Sequence, residues 1–134
     1  AGKYATRKDI GDVSKLLNSA GISFFVKEDL LDTVGAISGS GPAFFAYFIK
    51  AFQDAGVKSG LPEETAFKLA AQTALGTGKL LMQKSISPEE LIGLVASKKG
   101  ITVEGLKILK KHKVKSTLIK TINAAVKRSK ELGR

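Results

Sequence analysis

At 134 residues, with no Cys, no Trp and one His, the chain has room for one ordinary domain with a hydrophobic core. That composition excludes a disulfide scaffold, thiolate metal sites and cysteine nucleophiles, and His112 alone supplies neither a His-based triad nor a multi-histidine metal centre. The net charge of +10 is localised: residues 1–97 carry ten basic and ten acidic side chains, whereas residues 98–134 carry twelve basic ones against Glu104 and Glu131.

The first segment reads as a helix followed by a strand. Thr6-Arg7-Lys8-Asp9 has the form of an N-cap, Ile10, Val13, Leu16 and Leu17 recur at helical spacing, and Asn18-Ser19-Ala20-Gly21 is a stop. Ile22 to Val26 is short, apolar and rich in aromatic and β-branched residues, which predicts a buried strand. One helix and one strand do not make a sheet, so residues 1–27 are expected to be the tail of an α/β domain.

Everything after Glu28 reads as helix. Ser38-Gly39-Ser40-Gly41 is expected to be a turn, with Pro42 at the first position of a helix to about Ala55. That helix is apolar almost all round through Phe44, Phe45, Tyr47, Phe48, Ile49 and Phe52, and its one polar stripe is Lys50, Gln53 and Asp54. A chain this small cannot enclose such a helix, and the helix is too short to span a bilayer, so burial against a second subunit is expected. Gly56 and Gly60 are expected breaks. Pro62-Glu63-Glu64 then opens a helix to about Lys84 with acidic residues at its positive end. Ser87-Pro88-Glu89-Glu90 is a capping box for a helix to about Val95. Thr102 is the expected cap of a helix through Lys111, and Val114 or Ser116 opens a last one ending near Leu132.

Three features carry possible chemistry. The Ser38–Gly41 stretch precedes a helix, but it lacks the Lys-Ser/Thr of a phosphate loop and the spacing of a dinucleotide fingerprint, so tight backbone packing is the stronger reading. The loop Ala96-Ser97-Lys98-Lys99-Gly100-Ile101-Thr102 brings hydroxyls, ammonium groups, a glycine and the N–H groups of a helix start together. Those parts hold a carboxylate or phosphate, and they equally well make a plain helix–helix connection. The basic tail lacks any aromatic residue after Phe67, which argues for a solvated face and against nucleic acid. His112 reads as an exposed helix-end residue. Glu63-Glu64 and Glu89-Glu90 read as first-turn carboxylates and not as an acid/base pair. No apolar run reaches membrane-spanning length and no signal-peptide core is present, so the expectation is a soluble cytoplasmic domain.

Two stretches together closely resemble the C-terminal half of Δ1-pyrroline-5-carboxylate reductases. They are Leu31-Asp32-x4-Ile37-Ser38-Gly39-Ser40-Gly41-Pro42-Ala43 and Pro88-x2-Leu91-x3-Val95-Ala96-Ser97-x2-Gly100-x-Thr102-x2-Gly105-Leu106. Gly56-Val57-x2-Gly60-Leu61-Pro62 and Arg128-Ser129-x-Glu131-Leu132 extend the resemblance in the same register. The resemblance implies an all-α dimerisation domain of the 6-phosphogluconate-dehydrogenase C-terminal-like type over 28–134, preceded by a residual helix–strand tail of a Rossmann domain over 1–27. It implies an oxidoreductase of proline biosynthesis that reduces a small anionic cyclic imine, with NADPH or NADH bound by a separate N-terminal domain. This chain alone would then not catalyse. It implies a homodimer or higher homo-oligomer, and a carboxylate site at Ser97, Gly100, Ile101 and Thr102. No catalytic residue, metal, nucleic acid or membrane partner is assigned to the chain. The sequence departs from the family pattern at Gly35, where a Thr is usual near the imine, and at Leu94, where an Asn is common. It departs again at Lys98-Lys99, in place of Pro-Gly, and at Ile101, in place of a small residue or Thr. Beside the reductase stand an inactive or substrate-shifted paralogue and a basic nucleic-acid module.

Overall fold

A computed structural model describes residues 2–98 and 100–133. The chain divides into two compact units, Ala1–Leu31 and Asp32–Arg134. Lys99 lies outside the described residues.

The first unit is built on α1 (Arg7–Asn18). Its start is the expected capping box, with the Thr6 N–H donating to Asp9 Oδ2 at 2.8 Å and the Asp9 N–H to Thr6 Oγ1 at 3.2 Å. Asn18 Oδ1 then accepts from the backbone N–H and the hydroxyl of Ser23, at 2.7 and 2.8 Å, and fixes the turn out of the helix. The predicted strand at Ile22–Val26 does not form. The backbone there runs without a ladder, because no neighbouring strand exists among the described residues to exchange N–H and C=O bonds with it. Hydrophobicity marked the segment as extended and apolar, but pairing requires a partner that the sequence of this unit does not contain.

A 3₁₀ turn at Glu28–Leu30 lies at the end of the first unit, and the second unit, which begins within α2 (Leu31–Val34), continues with a π turn at Gly35–Gly39 and α3 (Gly41–Lys58). The expected Ser38–Gly41 turn is therefore a widened helical turn, closed by the Ser40 N–H to the Gly35 carbonyl at 3.0 Å. Pro42 explains the widening. It has no N–H for the Ser38 carbonyl and its ring crowds that oxygen, so a regular α-helix cannot pass through 38–42 while a looser turn can.

Gly56 does not break α3, which continues to Lys58. A side chain at Gly56 would meet Ala66 Cβ at 3.0 Å and Leu61 Cδ1 at 3.3 Å, so the glycine admits α4 (Glu63–Lys84) instead of ending α3. The end comes four residues later. Gly60 takes φ +97°, the Leu61 N–H reaches back to the Gly56 carbonyl and the Gly60 N–H to that of Val57, both at 3.0 Å. This is a Schellman closure, which needs a residue free to enter the left-handed region. The α3–α4 hairpin is the main packing contact of the unit, and Gln53 Nε2 joins it by donating to Glu63 Oε1 at 3.1 Å. Lys50 and Asp54 pair along the polar stripe.

Ser85, with φ 50°, ends α4, and α5 (Pro88–Val95) opens with the expected capping box between Ser87 and Glu90. α6 (Ile101–Lys111) and α7 (Val114–Leu132) follow, turning at Lys113 with φ 52°. α7 packs on α6 and on the π turn.

Among the described residues the buried apolar side chains are Ala36, Ala66 and Ala70. Phe45, Tyr47 and Phe52 of α3 remain 68%, 76% and 66% exposed. The chain exposes 11432 Å². Two globules of these units' sizes would expose about 7,900 Å². The apolar faces that the sequence provides are formed but not covered.

Two outcomes follow from this packing. Gly56→Val should cost about 1–3 kcal/mol by prying α4 from α3, measured by denaturant unfolding at fixed protein concentration. Glu90 provides a pH-dependent helix start: the Ser87 N–H, and after it the Ser87 side chain, hold its carboxyl below the ordinary value. A folded-state pKa below the unfolded one contributes stability above the ordinary glutamate range and loses it as the pH falls through the folded value. NMR titration of the Glu90 carboxyl should give a depressed pKa that Ser87→Ala raises only in part, because the alanine keeps the backbone N–H that is the larger cause.

Candidate functional site

The segment between α5 and α6 is built by two helix ends. The Ala96 N–H closes α5 on the Ile92 carbonyl at 2.9 Å, and the Gly100 N–H turns back to the Ser97 carbonyl at 2.9 Å. Gly100, not Thr102, is the N-cap of α6, in extended conformation with φ −83° and ψ 162°. Thr102 is the second helical residue. The expected threonine cap is displaced because the backbone bond from Gly100 to Ser97 already begins the turn two residues earlier.

A cap without a side chain leaves donors open. The Val103 N–H bonds the Gly100 carbonyl at 3.2 Å, while those of Ile101 and Thr102 have no side-chain or loop acceptor among the described residues. They form the positive end of α6. Ser97 supplies a hydroxyl beside them: a Cβ added to Gly100 would collide with Ser97 Oγ, so that oxygen lies over the Gly100 backbone. Ser97, Gly100, Ile101 and Thr102 are thus brought together as two N–H donors, one hydroxyl at the helix start and a second on Thr102. Ile101 takes part through its backbone, since its side chain is 92% exposed. Lys98 is exposed beside them.

Thr102 also faces inward. It is half-buried and lines an apolar groove of about 580 Å³ with Phe52 of α3, Thr73 and Gly76 of α4, Ile92 and Val95 of α5, and Leu106. The helix start is therefore wet on its Ser97 side and apolar on the other, a combination suited to a small molecule with one anionic end.

Gly35 stands elsewhere, as the first residue of the π turn. A side chain there would meet nothing within 4 Å, so packing does not impose the glycine. The π turn packs against α3 and α7, and α6 packs against α7, so Gly35 and the Ser97–Thr102 segment share α7 as a neighbour. Leu94 on α5 is 76% exposed. His112 caps the C-terminal end of α6 in solvent, and both carboxylate pairs sit in first helical turns, as expected. Missing from the sequence reading is the contact of Asp32 with Ser129, whose hydroxyl donates to Asp32 Oδ1 at 2.5 Å. Both residues lie in the matching stretches, which was the available signal. No described helix is long and apolar enough to cross a membrane.

Residues 28–132 match the family described as pyrroline-5-carboxylate reductase dimerisation. The chain is 37% identical over 134 residues to a pyrroline-5-carboxylate reductase of Synechocystis, covering all of this chain and 50% of that one. It is 38% identical over 133 residues to one of Schizosaccharomyces pombe, covering 47% of it. The chain therefore spans about half the length of the curated relatives it matches. Among solved structures, a Plasmodium falciparum pyrroline carboxylate reductase with NADP bound superposes with a TM-score of 0.89 at 35% identity, over 99% of this chain and 51% of that one. A Coxiella burnetii pyrroline-5-carboxylate reductase gives 0.93 at 31% identity, over 98% and 49%. By sequence over residues 28–132 and by fold over nearly its whole length, the chain belongs to the pyrroline-5-carboxylate reductase dimerisation family.

Proposed function

We propose that this chain is the dimerisation and substrate-carboxylate-binding part of a pyrroline-5-carboxylate reductase, acting in the cytoplasm to reduce 1-pyrroline-5-carboxylate to L-proline. The observation that carries the reading is an anion-suited start of α6, built from Ser97 to Thr102, inside a chain of this family. Residues 1–27 would belong to the nucleotide-binding domain of a longer protein, and 28–134 to the helical domain. The relatives' greater length and the unit boundary at Leu31 support that division.

The NADPH or NADH of such an enzyme would be held outside this chain. The glycine-rich stretch does not fit a dinucleotide, because Ser38–Gly41 lies within a helical run and the Ser40 and Ala43 N–H groups are spent on the Gly35 and Ser40 carbonyls. The residues of this chain bind and orient. The Ile101 and Thr102 N–H groups and the Ser97 and Thr102 hydroxyls hold the carboxylate, the apolar groove takes the ring, and exposed Lys98 attracts the anion from a distance without fixing it.

The uncovered surface supports self-association. Each copy exposes about 3,500 Å² more than two compact globules of its units would, which is about 7,000 Å² for a pair. Obligate interfaces bury roughly 2,000–5,000 Å² in total. A second copy is the expected cover for the aromatic face of α3. At micromolar concentration the chain should sediment at twice its 14.2 kDa mass or more, and a cooperatively melting monomer would refute this part of the reading.

The carboxylate site has its own test. In the full-length protein Thr102→Val should raise the KM for the imine carboxylate about tenfold, the loss of roughly 1.4 kcal/mol from one hydrogen bond to a charged group. Unchanged kinetic constants in a folded, associated variant would reduce Thr102 to a packing residue of the groove.

A further inference from the structure

Asp32 and Ser129 are 97 positions apart, whereas every other side-chain hydrogen bond among the described residues spans ten positions or fewer. The bond is part-buried and runs from a hydroxyl to a carboxylate, the stronger class of hydrogen bond. Its neighbours do not compete for it. Arg128, next to Ser129, is engaged with Glu131 at 3.1 Å, which leaves the serine as the partner of Asp32 among the described residues.

Its place in the fold gives the bond leverage. Asp32 lies in α2, three residues before the π turn begins at Gly35, and Ser129 lies in the last turn of α7. α7 packs both on the π turn and on α6, whose first residues form the proposed carboxylate site. A hydrogen bond that fixes α7 on the π turn therefore also fixes the base from which α6 projects.

We propose that Asp32 and Ser129 are a positioning pair, locking the end of α7 against the π turn and thereby setting the placement of the Ser97–Thr102 site. The proposal rests on the reductase reading for its kinetic consequence and on the geometry alone for its structural one. The pair touches no substrate and acts through α7.

The test uses the full-length protein with Ser129→Ala, Asp32→Ala, the double variant and Asp32→Asn, which keeps a carbonyl oxygen where the serine hydroxyl donates. Each alanine variant should raise the KM for the imine carboxylate about three- to tenfold with kcat changed less than about twofold. The double variant should be no worse than the worse single one, and Asp32→Asn should recover most of the loss. Amide hydrogen exchange in the same proteins should accelerate together at residues 35–40 and 126–132 and stay unchanged across the α3–α4 hairpin. A wild-type KM in Ser129→Ala, or additive effects in the double variant, would overturn the proposal. A lowered melting temperature with unchanged KM would overturn it too, since that marks a merely structural bond. If the wild-type protein reduces no imine, the reductase reading fails by itself and exchange decides. Joint acceleration at both ends in Ser129→Ala then supports the pair, and separate or absent acceleration overturns it.

Discussion

A chain whose buried apolar side chains, among the described residues, are three alanines must draw most of its hydrophobic stabilisation from elsewhere. That constraint organises the second unit. The small residues Ala36, Ala66, Ala70, Gly41 and Gly56 let helices approach within the chain, while the large ones, Phe45, Tyr47, Phe52 and Leu75, point away from its interior. Small-inside, large-outside inverts the usual arrangement of a globular domain. It becomes intelligible once the large residues are taken as half of a core that a second copy completes.

The same logic explains which parts of the fold could be read from the sequence. Helix starts were legible because capping is local: Thr6 with Asp9, and Ser87 with Glu90, are three residues apart and both form as expected. Features that depend on distant partners were not. Ile22–Val26 had the composition of a strand and lacks the neighbour to make it one. Gly56 had the look of a helix break, yet its meaning lies in Ala66 across the hairpin. The Ser38–Gly41 stretch read as a turn because glycine and serine suggest one, while Pro42 only forced the helix to widen.

The site shows a similar division. Residue types at Ser97, Gly100 and Thr102 announced an anion-suited loop, and the structure gathers them, but the roles shift. The cap belongs to a residue without a side chain, so the open N–H groups rather than a threonine oxygen define the helix start. Gly100 matters because it leaves room for the Ser97 hydroxyl over the backbone. Thr102 turns partly toward an apolar groove, which periodicity could not foretell, since the groove walls come from four helices. The link between Asp32 and Ser129 was beyond any local pattern, being a matter of how the last helix returns to the second.

The unpaired segment at Ile22–Val26 has a consequence for the chain in isolation. Its backbone has no ladder among the described residues, and its Phe24 and Phe25 stand in solvent. An apolar strand edge of this kind is a template for β-augmentation, in which another copy of the same segment supplies the missing ladder and stacks its aromatic rings. Shielding by a neighbouring sheet is then a matter of solubility as well as architecture. Without such a shield, Phe24 and Phe25 stay open to the same pairing.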